Sequence, residues 1–296
     1  MSTTATPDAP DTYAGLVDDA AIFPPGNAPV PEALRAHAEH KASWYAPVVG
    51  GFVCADTRLT ELQSALDEAP FTEPLQVNLT ISGGAGAVGP ALTWTGRDDR
   101  LALLAVEVAL RDEDDLAHNA ARMTTVLDAL PDESVAYVEL PRLYGDRVTA
   151  GWGAALDEIA AAGLRMKYRT GGPDHDAFPS CAELAEVVAA ALDREVEFKL
   201  TAGLHHAVRH TAADTGFEHH GFLNVLLATR ASLDGADASD VAGLLDERDP
   251  NVVAHRVAGL GPAGLASTRR WFTSFGSCSI IEPVDDLVDL GLISKG

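Results

Sequence analysis

RMKYRTGG (165–172) is the stretch on which the fold turns. Met166 and Tyr168 alternate with Lys167 and Arg169, the period-two pattern of a strand with one apolar face. Further along, VEFKLTAG (196–203) repeats the arrangement: Val196, Phe198 and Leu200 take one face, and Lys199 and Thr201 the other. Upstream, AVEVAL sends Glu107 opposite Val106 and Val108. AYVEL sends Glu139 opposite Ala136, Val138 and Leu140. LQVNLTI sends Gln76, Asn78 and Thr80 opposite Leu75, Val77, Leu79 and Ile81. Five consecutive strands thus share one polar face, which predicts a polar bore.

Working outward, strand candidates fall at 14–23, 48–54, 75–81, 101–110, 135–140, 164–170, 196–202 and 271–278. Amphipathic stretches lie between them at 31–43, 114–130, 152–163 and 180–193. Strands alternating with helices argue for a parallel sheet, and eight such units for closure into a (β/α)8 barrel of the TIM type. The Gly-rich stretch 82–90 carries no clear helix. The segment between the seventh and eighth strands is enlarged and holds at least two helical stretches, GFLNVLLATRASL and ASDVAGLLDER. No linker divides the chain. Residues 1–11 are expected to form a disordered arm and 12–296 the single barrel domain.

Composition narrows the function. Hydrophobic residues make up 47% of the 296, which excludes wholesale disorder. The net charge of −23 repels phosphate backbones and anionic lipid, so neither nucleic acid nor a membrane surface is an expected partner. Three cysteines make no disulfide framework, and no run of about 18 apolar residues occurs, which points to a cytoplasmic protein. The expected partner is a small molecule, with an anion among the options. Homo-oligomerisation stays open.

Lysine is scarce, occurring only at 41, 167, 199 and 295. Two of the four face inward on neighbouring strands. Unlike arginine, lysine can shed its proton and attack a carbonyl. Two ammonium groups side by side are expected to lower one pKa. Glu107 and Glu139 are the candidate proton-transfer groups. A buried ion-pair network that only sets register is the structural alternative.

KYRTGG (167–172), FKLTAG (198–203) and FGSCS (275–279) resemble segments of class I aldolases of the deoxyribose-phosphate aldolase type. That resemblance implies Lys167 as the Schiff-base nucleophile, Lys199 as its electrostatic partner, Glu107 as acid/base and FGSCS as a phosphate loop. Glu107 stands where the family usually has Asp, and AGLHHAVRH replaces the family's Gly-Gly turn after strand 7. The sequence is also similar to a bacterial group of (β/α)8 barrels sharing KxRTGG, TAGLHH and FGSCS-type segments, a likeness that implies no activity.

Candidate substrate contacts are Asn78, Arg169, Thr170, Gly171, Gly172, Thr201, His205, His206, Gly276, Ser277 and Ser279. The last three precede a helix start near Glu282-Pro283, where backbone N–H groups favour anions. Five of the ten histidines fall between 205 and 220. They read as acid/base groups, as a polar lid, or as a divalent-metal site built from His205, His206, His219 and His220. The leading expectation is a Schiff-base lyase acting on a small oxo or hydroxy acid or sugar phosphate, with no cofactor. A metal-dependent hydrolase or lyase and a non-catalytic binding barrel are the alternatives.

Overall fold

The computed structural model describes residues 12–69, 71–111, 113–143 and 145–295, so the arm expected at 1–11 lies outside the described residues. The chain closes into a parallel (β/α)8 barrel. Its staves are β1 (Val17–Asp19), β2 (Val49–Ala55), β3 (Leu75–Ile81), β4 (Leu101–Ala109), β5 (Val135–Glu139), β6 (Arg165–Arg169), β7 (Phe198–Thr201) and β10 (Phe272–Ser277). Each pairs with the next, and β10 returns to β1. Between them run α1 (Val30–Lys41), α2 (Leu59–Ala65), α3 (Ala85–Thr95), α4 (Leu116–Leu127), α5 (Ala150–Ala161) and α6 (Cys181–Asp193). The enlarged segment holds a small antiparallel hairpin, β8 (His210–Thr211) with β9 (Glu218–His219). It then holds α7 (Phe222–Leu233), α8 (Ala238–Asp246) and α9 (Pro250–Arg269), and α10 (Ile281–Asp289) follows β10.

Local chemistry sets the helix starts. Thr149 accepts from Trp152 N, Ser180 from Glu183 N and Asp237 from Asp240 N, each side chain satisfying an amide that the helix leaves free. The long α9 breaks at Gly261, which has φ 62° and is followed by Pro262. Helix α3 corrects the expectation of no helix at 82–90. Its glycines mask a short apolar stripe in which Val88, Ala91 and Thr95, three and four residues apart, are buried.

The apolar core is the layer between staves and helices. Met166, Tyr168, Phe198 and Leu200 are fully buried there. The Tyr168 hydroxyl donates to Glu183 of α6 at 2.6 Å, and Phe222 of α7 stacks on Phe275 with ring centroids 4.9 Å apart. Packing those side chains outward leaves the alternate residues no direction but the bore. The register then sets Glu139 beside Lys167 and Lys167 beside Lys199 on β5, β6 and β7.

Candidate active site

Glu107 stands between the two bore lysines. Its Oε2 lies 2.6 Å from Lys167 Nζ and its Oε1 2.5 Å from Lys199 Nζ. Lys199 has a second carboxylate in Asp18, at 2.6 Å, and Lys167 one in Glu139, at 3.0 Å. Arg169, more exposed, reaches Glu139 at 3.7 Å. The result is a chain of alternating charge, Asp18–Lys199–Glu107–Lys167–Glu139–Arg169, drawn from five strands. β4 is not hydrogen-bonded to β6 or β7, so Glu107 meets the lysines across the bore rather than along the sheet. Lys199 is 1% exposed and Glu107 3%.

The sequence does not single out Asp18: the strand candidate at 14–23 shortens to the three residues of β1, and Val17-Asp18-Asp19 offers no sustained alternation to assign a face. Asp18 is held by Ser274 Oγ at 2.8 Å and by Gly51 N at 3.1 Å. Two neighbouring glycines of β2 make the room. A Cβ on Gly50 would collide with the Asp18 carboxylate, and one on Gly51 would press on the Asn78 amide at 3.1 Å. The pair Gly50-Gly51 inside a strand was the available signal, since glycine there marks close approach of another group. Asn78 is buried in the bore, and its Oδ1 has no hydrogen-bond partner. Gln76, expected to face inward with it, is exposed at the N-terminal end of β3, below the closed part of the bore.

The electrostatics correct one expectation. Lys199 was expected to lower the pKa of Lys167. Burial and Lys199 do push it down, but Glu107 and Glu139 outweigh them and the shift is upward. Lys199 likewise rises, because Asp18 and Glu107 overcome its burial. Burial pushes Glu107 up, yet the two ammonium groups prevail and bring it to about 2. At rest both amines are protonated and Glu107 is ionised.

Other expected contacts are distributed differently. Thr170 Oγ1 donates to Ala202 O at 2.5 Å, tying the turn after β6 to that after β7. A Cβ on Gly171 would meet Gly203 Cα at 3.0 Å and Phe178 at 2.9 Å, so this glycine serves loop packing. On Gly172 it would meet Ala177 at 2.7 Å. Thr201 lies against Gly276, the register partner it shares between β7 and β10. In the loop after β10, Ser277 Oγ accepts from Ser279 N at 3.2 Å and Ser279 Oγ accepts from Glu282 N at 3.3 Å. These amides are bonded within the loop, and the carboxylate of Glu282 stands in the first helical turn, where an anion was expected, with Asp286 one turn further on.

The histidines form no single cluster. His205 bonds Glu282 at 3.0 Å and His206 bonds Asp286 at 3.2 Å. His206, His210 and His219 form a row of rings, and His219 continues it onto Phe178. His220 is turned away and buried, with Nε2 2.8 Å from Pro179 O and Nδ1 3.2 Å from Arg209 Nη1. Among the described residues no group of three His, Cys, Asp or Glu side chains is placed to hold a metal ion. Nor is any helix among them long and apolar enough to cross a membrane. Comparison of the chain with protein-family models and with curated proteins finds no match.

Proposed function

We propose that the protein is a Schiff-base lyase that makes or breaks a carbon–carbon bond in a small oxo or hydroxy compound. The observation that carries this reading is the single carboxylate of Glu107 shared by two buried lysines in a barrel bore. A bore is ordinarily filled by packed apolar side chains, and buried charge is costly. Ionisable groups gathered in one cavity are a mark of chemistry.

Lys167 is the nucleophile in this reading. It is the more exposed of the two lysines, at 5% against 1%, and it stands between Glu107, which holds it, and Glu139, which can take its proton. An ammonium is not nucleophilic, so the proton passes from Nζ to Glu139, the more exposed of the two carboxylates, as the substrate carbonyl arrives. The neutral amine then adds to the carbonyl carbon. Glu139 gives that proton to the carbinolamine hydroxyl, which leaves as water and yields an iminium. Glu139 then takes the proton of the β-hydroxyl as the bond between the α and β carbons breaks, the aldehyde departs, and the iminium takes up the electron pair as an enamine. Lys199, locked between Asp18 and Glu107, remains a fixed positive charge that keeps Glu107 ionised, so that Glu107 orients Lys167 and stabilises positive charge on its nitrogen. Asn78, with its free acceptor in the bore, is a contact for a substrate hydroxyl. The aldolase resemblance of the lysine strands supports the same assignment.

Reductive trapping tests it. The protein is incubated separately with acetaldehyde, pyruvate and glyceraldehyde in the presence of cyanoborohydride, and the adduct is located by peptide mass mapping. The expected result is one adduct on Lys167, lost in Lys167→Arg. Modification spread over Lys41 and Lys295 with neither bore lysine labelled would sink the reading.

A further inference from the structure

A second group of reactive side chains lies on the rim of the barrel, outside the lysine chain. Cys278 follows the end of β10. Ser274 and Gly276 face the bore, and Cys278 sits in the bend just past the strand. Its Sγ is 3.7 Å from Nε2 and 3.8 Å from Nδ1 of His205, which enters from the loop after β7. The two ring nitrogens thus stand almost equally far from the sulfur, and His205 Nδ1 is 3.0 Å from Glu282 Oε2 in the first turn of α10. A third loop, after β1, closes on the sulfur. A Cβ on Gly26 would sit 3.0 Å from Cys278 Cβ and 2.9 Å from Ala21 O, so only glycine lets this loop approach. Segments more than 250 residues apart in the chain therefore converge on one thiol.

The order thiol, imidazole, carboxylate is that of a nucleophile, its base and the group that orients the base. We propose that Cys278, His205 and Glu282 form a separate acyl-accepting site that takes an acyl group from an activated ester or thioester. Glu282 holds Nδ1–H, which leaves Nε2, 3.7 Å from the sulfur, as the acceptor of the ring. As Sγ attacks the acyl carbon, the thiol proton moves to His205 Nε2. Collapse of the tetrahedral adduct breaks the bond to the leaving group, which takes that proton back from His205 and departs as alcohol or thiol. The product is an S-acyl Cys278. Water activated by the same nitrogen then releases the carboxylic acid and restores the thiol. Neither step needs an oxidant, a metal or the lysines.

The other cysteines are poorer candidates. Burial raises the Cys54 thiol to about 12 and that of Cys181 to about 11. Burial raises Cys278 as well, opposed by the backbone N–H groups of Gly26 and of Cys278 itself. The sulfur is thus a thiol at rest and depends on His205 for its activation.

The experiment is acylation of the full chain by p-nitrophenyl acetate, followed by p-nitrophenolate release and by peptide mass mapping. The expected result is one acetyl group on Cys278 and none on Cys54 or Cys181. In His205→Gln the rate at Cys278 should fall about a hundredfold, the size of a general-base contribution. In Glu282→Gln, an exposed position whose replacement leaves the barrel folded, it should fall about tenfold, as expected for an orienting group that acts through His205. Acetylation of Cys181 at the same rate as Cys278 would overturn the proposal. So would an unchanged rate at Cys278 in the Glu282→Gln variant, or in a His205→Gln variant with wild-type melting temperature. Loss of lysine trapping leaves this outcome untouched, so the two sites can fail separately.

Discussion

Asp18 and Lys199 meet at 2.6 Å in the bore although 181 residues separate them along the chain. The contact bridges the first stave and the seventh, with β10 between them supplying Ser274 to the same carboxylate oxygen. It gives Lys199 a second anionic partner and so turns the expected repulsion between two lysines into a balanced row of charge. Whether this row catalyses or only sets register is decided by variants that separate charge from chemistry.

Replacing Lys199 by Met should destabilise the fold by about 3–5 kcal/mol, because Asp18 and Glu107 are then buried without their shared cation. Urea denaturation followed by circular dichroism measures it. Adding Asp18→Asn to the Lys199→Met chain should recover part of the loss, since one uncompensated carboxylate is removed.

Gly50→Ala should cost about 1–3 kcal/mol, the usual range for overpacking. The new methyl would displace the Asp18 carboxylate from Ser274 and Lys199. Thermal melting should show the drop in this variant. Gly86→Ala, where a Cβ meets nothing within 4 Å, should melt at or above the wild-type temperature.

Asn78→Leu separates stability from function. The Asn78 Oδ1 has no partner, so its loss should leave the unfolding free energy within about 1 kcal/mol of wild type. If the amide holds a substrate hydroxyl, the same variant should need about tenfold more glyceraldehyde for half-maximal trapping on Lys167, the cost of about one hydrogen bond. Equal trapping by both chains would remove Asn78 from the site.

His220 sets an acid limit. Burial and the neighbouring Arg209 lower its pKa to about 4, with the backbone carbonyl of Pro179 opposing. Nε2–H donates to Pro179 O, so Nδ1 must accept from Arg209, and protonating it would set two donors face to face. The folded value lies below the unfolded one of about 6.5, so the stabilisation is complete above pH ~6.5 and fades as pH falls through about 4. It amounts to about 3 kcal/mol for this buried ring. Denaturation curves from pH 7 to 4 should show this loss in wild type and a flatter profile in His220→Gln, whose amide can donate and accept without titrating.

The sequence by itself determined the barrel and the inward placement of Glu107, Glu139, Lys167 and Lys199. Both follow from strand alternation, a property of consecutive residues that needs no knowledge of neighbours. Helix α3 escaped because its buried stripe is short and crowded with glycine, and Asp18 because β1 is only three residues long. Only the tertiary structure decided who pairs with whom. Glu107 reaches the lysines across the bore, Asp18 joins them from the far end of the chain, and Cys278, His205 and Glu282 meet on the rim. The direction of the lysine pKa shifts followed from those pairings. Electrostatic shifts sum over every charge within a few ångströms, and in a closed barrel those charges come from strands that only closure brings together.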